Sequence, residues 1–350
     1  GSEMCIRDRF NKIGMPALFV MLVIIIIRSV TMDGAVEGLK FMFFPGYALQ
    51  VGFIKEAPHW TTVLATAGGQ MFFSLSLAMG ITITYGSYLD KSQSLIKNSS
   101  IVVIADTIVA IMAGIAVIPA AVANGIAQIN AGALVFDAEL GAERAMTFAD
   151  IKLGGPSLLF ITLQDVFHAM GSIGPLFGVI FYLLVLVAAI SSAIALIEVI
   201  ATYFLDRAAA KGRQGNRHKV VLWVCVAIMV EAAIVAIDGL GSNGVYVPFQ
   251  YTLRELGVSA TGIVGEFNDC WLDFMDALSE GIAMPLGALL MSIMVGWEIK
   301  PKTLLDEIHI GSRAKIDSFF SFCIKFIVPL AMILILVGQI DTFLHLGIFT

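Results

Sequence analysis

Residues 60–89 read WTTVLATAGGQMFFSLSLAMGITITYGSYL, and what this stretch does decides what kind of chain this is. It is long enough to cross a bilayer, for which a helix needs about 20 mostly apolar residues. Yet Gly68, Gly69, Gln70, Ser74, Ser76 and Gly80 gather in its middle, at mid-bilayer depth. In one reading the serines bond back to their own helix carbonyls and the glycines let neighbouring helices pack closely. In the other the helix breaks around Ser74 to Gly80, and its freed carbonyls and half-helix ends hold a cation and a small polar substrate. Irregular backbone is tolerated at that depth only where protein or a cavity lines it.

The rest of the chain agrees with a membrane setting. Apolar residues make up 58% and charged residues 14%, with a mean hydropathy of +0.90, whereas soluble domains carry roughly a quarter charged residues. The net charge of -6 offers no basic excess, so nucleic acid is not a partner and the lipid bilayer is. Spans are expected at about 13–31, 60–89 (broken), 99–124, 172–205, 219–238, 270–297 and 318–340, giving an all-α, multi-span helical bundle.

Basic residues cluster at alternate connections: Arg7, Arg9 and Lys12; Lys91 and Lys97; Arg207 to Lys219; Lys300 to Lys315. Those connections are expected on the cytoplasmic side of a multi-pass inner-membrane protein. The connection at 125–171 is too long to be bare and is expected to carry helices of its own. Residues 1–9 (GSEMCIRDR) do not read into the first span and look like a foreign leader, with the remaining domain at 10–350. An odd number of spans, starting at once after that leader, leads us to expect a truncated chain.

Enzymatic chemistry finds no support. Cys5, Cys225, Cys270 and Cys323 lie far apart, the five histidines are scattered, and no Gly-rich phosphate loop or nucleophile elbow occurs. Neither a catalytic residue nor a transition-metal site is expected. Polar groups inside the spans are another matter, because a carboxylate in the bilayer is costly and usually marks an ion path or a buried pair. Asp106 and Glu198 are such acids. In VAAISSAIALIE (187–198), Ala188, Ser191 and Ser192 place two hydroxyls a turn beyond a small residue, and a sodium ion takes its oxygens from hydroxyls and carbonyls.

Five stretches together carry a resemblance: GQMFFSLSLAMGITITYGSY (69–88), ADTIVAIMAGIAVIP (105–119), GGPSLLFITLQDVF (154–167), AAISSAIALIE (188–198) and MPLGALLMSIMVGW (284–297). They resemble the bacterial branch of the neurotransmitter:sodium symporters, whose fold is the inverted repeat of the bacterial leucine transporter. The resemblance implies that the spans correspond to helices five to eleven, the first four being missing, and that 60–89 is the broken sixth helix. It implies a sodium-coupled amino-acid symporter working by alternating access, with two sodium sites in the intact protein and no organic cofactor. A chain without the first four helices is expected to be inactive alone.

Residue by residue, the resemblance implies sodium ligands at Ser74, Asp106, Ala188, Ser191 and Ser192. It implies substrate contacts at Phe73, Ser74, Ser76, Met79, Ser192 and Leu196, and gating residues at Tyr88, Glu198, Asp206 and Asp276, with Tyr88 meeting Glu198. Asp106 stands where many members have an asparagine, and Ala110 where chloride-dependent members have a serine. A fixed carboxylate supplies the negative charge that chloride otherwise brings, so independence of chloride is expected. Two rivals remain open: a proton-coupled transporter in which Asp106 and Glu198 carry protons, and a channel or scaffold without coupled transport.

Overall fold

The computed structural model describes residues 2–54, 56–90, 93–137, 142–151, 153, 158–168, 170–213, 215–239, 271–299, 301–309 and 317–344. Its Cα packing falls into two compact units, Gly1–Ala57 with Ile104–Ala193, and Pro58–Val103 with Ile194–Thr350.

The first unit opens with α1 (Ser2–Val30), an unbroken helix that also takes in the segment read from the sequence as a leader. Two short helices follow, α2 (Ala35–Phe43) and α3 (Pro45–Val51). The unit then takes most of α6 (Leu95–Asn130) and the first half of α8 (Gly174–Ala210). Met21 and Ile25 of α1 pack with Ala116 and Ala120 of α6 and with Phe181 of α8 in one buried cluster. Alanine on α6 at these places lets the bulkier side chains close against its backbone, which is how helices associate where lipid tails are as apolar as the side chains.

Between α6 and α8 the long connection has structure of its own, as its length predicts. Strands β1 (Leu134–Asp137) and β2 (Ala142–Ala145) form an antiparallel hairpin, with Val135 opposite Arg144. A π-helical turn (Leu158–Thr162) leads into α7 (Leu163–His168), whose Leu163, Val166 and Phe167 are buried in the α1–α6–α8 cluster. Asn124 on α6 donates to Asp165 on α7 at 3.0 Å, and Tyr182 on α8 donates to the Phe160 carbonyl at 3.3 Å. The connection is thereby pinned to the helices it joins. Arg144 forks onto both carboxylate oxygens of Asp150 at 2.7 Å, and Thr147 caps the same carboxylate through its amide and hydroxyl. The Arg144 fork, then the Thr147 bonds, hold the Asp150 carboxyl well below the usual carboxylate range.

The second unit contains α4 (Trp60–Ser74), α5 (Ile81–Gly86) and the remainder of α8, followed by α9 (Arg217–Asp238). It continues with α10 (Trp271–Asp276), α11 (Met284–Ile293), α12 (Pro301–His309), α13 (Asp317–Phe322) and α14 (Val328–Leu344). The helical segment from α10 through α11 and the one from α13 through α14 run on through π-helical stretches at Ala277–Ala283, Met294–Ile299 and Cys323–Ile327. Its core is a cluster of Phe72, Met332 and Ile335, where α4 packs on α14.

Among the described residues six helical segments are long and apolar enough to cross a membrane: Lys12–Val30, Leu95–Asn130, Gly171–Ala210, Arg217–Asp238, Phe274–Ile299 and Asp317–Asp341. They correspond to six of the seven expected spans. The seventh, 60–89, is divided between α4 and α5, so neither half reaches membrane length by itself. The protein is a multi-pass membrane protein.

Candidate functional site

The division of 60–89 is built residue by residue. Helix α4 closes with Leu75 N donating to Met71 O at 3.0 Å, Ser76 N to Phe73 O at 3.1 Å and Leu77 N to Phe72 O at 2.8 Å. Ser76 (φ 53) and Ala78 (φ 59) then take left-handed backbone, and Gly80 (φ 78) does so before α5 begins. Left-handed backbone costs an L residue roughly 1–2 kcal/mol, and only glycine adopts it freely. Two side-chain-bearing residues in that state persist only because their surroundings over-determine them. Leu77 and Ala78 are held against the Phe72–Met332–Ile335 cluster, with Met284 and Ala288 of α11. A Cβ on Gly80 would stand 3.0 Å from Val199 Cγ1 of α8, which leaves glycine the fitting residue on both counts.

The consequence is a stretch of freed acceptors. Among the described residues no backbone amide donates to the carbonyls of Leu75, Ser76, Leu77, Ala78 or Met79, while Thr84 N donates to Gly80 O at 3.0 Å as the helix resumes. Unaccepted carbonyls at membrane depth can coordinate a cation or bind the polar end of a small molecule. Phe73 and Ser74 are exposed at the edge of this stretch, and Ser76 and Met79 are half-buried within it. In the same unit Leu196 of α8 is exposed.

In the first unit, Asp106 lies half-buried on α6, and Ala188, Ser191 and Ser192 lie on α8. Ser192 Oγ donates to the Ala188 carbonyl at 3.2 Å. That is a bond back along the helix, as serines inside helices commonly make.

Of the expected gating residues, Glu198 accepts a 2.7 Å ion-paired hydrogen bond from Arg217, the first residue of α9. The Tyr88 ring packs edge-on against Tyr85, with centroids 6.5 Å apart. Asp206 is exposed near the end of α8. Asp276 ends α10, and Glu280 follows one turn on, inside the π-helical stretch Ala277–Ala283. Such stretches occur often at functional sites because they leave backbone groups out of the regular ladder.

Two partnerships were beyond the sequence reading. Arg217 follows Glu198 by 19 positions across a helix turn, and its place as a cation at a helix start was the available signal. Gln339 on α14 donates to the Ala65 carbonyl on α4 at 3.0 Å, across 274 positions, and no local pattern announces such a contact.

Residues 12–252, more than half of the chain, match the model of the Sodium:neurotransmitter symporter family. The chain belongs to that family. Among the symporter family's curated relatives, the chain is 29% identical over 335 residues to YhdH of Bacillus subtilis (strain 168), described as an uncharacterized sodium-dependent transporter; the match covers 95% of this chain and 61% of YhdH. A second uncharacterized sodium-dependent transporter, from Haemophilus influenzae, is also 29% identical, with 95% of this chain and 60% of the relative covered. The structure resembles the crystal structure of MhsT in complex with L-phenylalanine at a TM-score of 0.71 and 28% identity, covering 95% of this chain and 63% of MhsT. The chain thus spans about three fifths of the length of the relatives it matches. Both family and fold are those of membrane transporters and not of enzymes.

Proposed function

We propose that the chain forms part of a sodium-coupled amino-acid symporter of the cell inner membrane, working by alternating access. The observation that carries this reading is the stretch from Leu75 to Gly80, with three left-handed residues and five carbonyls to which, among the described residues, no backbone amide donates. Family membership and the likeness to MhsT, whose structure holds L-phenylalanine, support it.

In the second unit, Ser74 and the freed carbonyls serve as sodium ligands, while Phe73, Ser76, Met79 and Leu196 bound the space for the substrate side chain. Met79, a flexible thioether, suits a side chain of variable shape. In the first unit, the Ala188 carbonyl with the Ser191 and Ser192 hydroxyls serve as ligands of the second sodium and the Asp106 carboxylate as a ligand of the first, and Ser192 also borders the substrate. The Asp106 charge makes transport independent of chloride. Glu198, Asp206, Asp276 and Tyr88 belong to the gates. Coupling is the difference in sodium affinity between outward- and inward-facing states, so sodium can drive only what it binds unequally.

The test is equilibrium binding of radiolabelled amino acids, with sodium, with potassium and across pH. It compares this chain with a version extended by the N-terminal segment of a relative such as YhdH. The extended protein is expected to bind an amino acid in sodium and not in potassium, and the chain alone to bind none. Binding that follows pH and ignores sodium would replace this reading with proton coupling.

A further inference from the structure

The Gln339 amide is held between two glycines. A Cβ on Gly69 of α4 would fall 2.6 Å from Gln339 Nε2, and one on Gly281 would fall 3.4 Å from Gln339 Oε1. The nitrogen side of the amide therefore faces α4 and donates to Ala65 O, and the oxygen side faces the π-helical stretch that carries Glu280. Ala65 and Gly69 are buried, so this bond is made away from water. Gly68 gives α14 the same close approach, since a Cβ there would stand 2.5 Å from Ile335 Cδ1. The bond lies about three helical turns before the break at Leu75, on the half-helix whose end releases the carbonyls.

We propose that Gln339 is a positioning residue: a latch from α14 that fixes the first half of the broken helix, and thereby sets the sodium affinity of the freed carbonyls. The bond uses the second lone pair of a carbonyl already in the α4 ladder, so it locks the half-helix without unwinding it. In apolar surroundings the Gln339 amide has few other partners to turn to, which keeps the latch in one register. The proposal rests on the sodium-coupled reading above for its effect on affinity, and on geometry alone for the latch.

The test uses Gln339→Met, which keeps the length of the side chain and removes its donor. Hydrogen exchange of this chain in lipid nanodiscs is expected to speed up at the α4 amides by on the order of three- to tenfold, the effect of losing one interhelical bond, while α9 is unchanged. In the N-terminally extended protein the sodium concentration for half-maximal amino-acid uptake is expected to rise by a similar factor, with the maximal rate kept. Should Gln339→Met fail to fold, Gly69→Ala displaces the intact glutamine and is expected to give the same two results, while Gly281→Ala, whose methyl fits, gives neither. Unchanged α4 exchange overturns the latch. Faster exchange with unchanged sodium half-saturation overturns the positioning role. Absence of sodium-dependent uptake in the parent protein overturns the symporter reading and the positioning role with it, and the exchange result still decides the latch.

Discussion

Replacing Gly80 by alanine puts a side chain on the one left-handed position of the break that the sequence has left bare. Left-handed backbone costs an alanine roughly 1–2 kcal/mol. The new methyl also meets Val199 Cγ1 at 3.0 Å, so α8 must give by a few tenths of an ångström. The two add to about 2 kcal/mol against the broken conformation, or about a 30-fold shift toward conformers without the freed carbonyls. If sodium binds only the broken form, and that form is the minority before sodium binds, the half-saturating sodium concentration rises by the same factor. Ala78→Gly is the matched control. It removes strain at φ 59 from the broken form, so its half-saturation stays at or below that of the parent, opposite in direction to Gly80→Ala. Sodium titration of amino-acid binding by the extended protein reads both. Equal half-saturation for Gly80→Ala and the parent, in folded protein, would refute the link between backbone strain and ion binding.

Three other perturbations probe the charged groups. Asp106→Asn removes the fixed carboxylate, and uptake is expected to become stimulated by chloride; uptake by the parent that already needs chloride would contradict this. The Glu198–Arg217 pair is half-exposed on the arginine side, so its own worth is about 1 kcal/mol or less, and Arg217→Gln costs more than the Glu198→Gln, Arg217→Gln double variant because it strands a carboxylate in the span. Thermal unfolding in detergent, compared across the three variants, checks that order. The Asp150 carboxyl is depressed in the folded state, so its contribution is fully present above about pH 4 and is lost as pH falls through the folded value. Proteolytic nicking within 131–151 should therefore rise as pH falls below 4 in the parent, and Asp150→Asn should be nicked readily at both pH 6 and pH 3.

Much of the fold was legible because bilayer physics leaves few choices: a run such as 219–238 has nothing to be but a spanning helix. The break was legible for the same reason, since Gly, Ser and Gln at mid-depth in 68–80 need either packing partners or a role. The structure adds which residues bend: Ser76 and Ala78, which no propensity scale would place in left-handed backbone, and Ala78 with its neighbour Leu77 packs against Phe72, Met332 and Ile335. Gln339 was illegible because its partner Ala65 lies 274 positions away and is an ordinary helical alanine. Glu198 was read as a charged group in need of a partner. That it takes Arg217 depends on the length and angle of the turn between α8 and α9, which sequence spacing alone leaves open.

The most direct test of the central claim is amino-acid uptake into proteoliposomes by the extended protein, with an inward sodium gradient imposed and the proton gradient collapsed. Concentrative uptake that vanishes when sodium is replaced by potassium, and that weakens when Ser191 and Ser192 are both changed to alanine, is the predicted result. Uptake driven by a proton gradient without sodium, or none at all from verifiably folded protein, would contradict it.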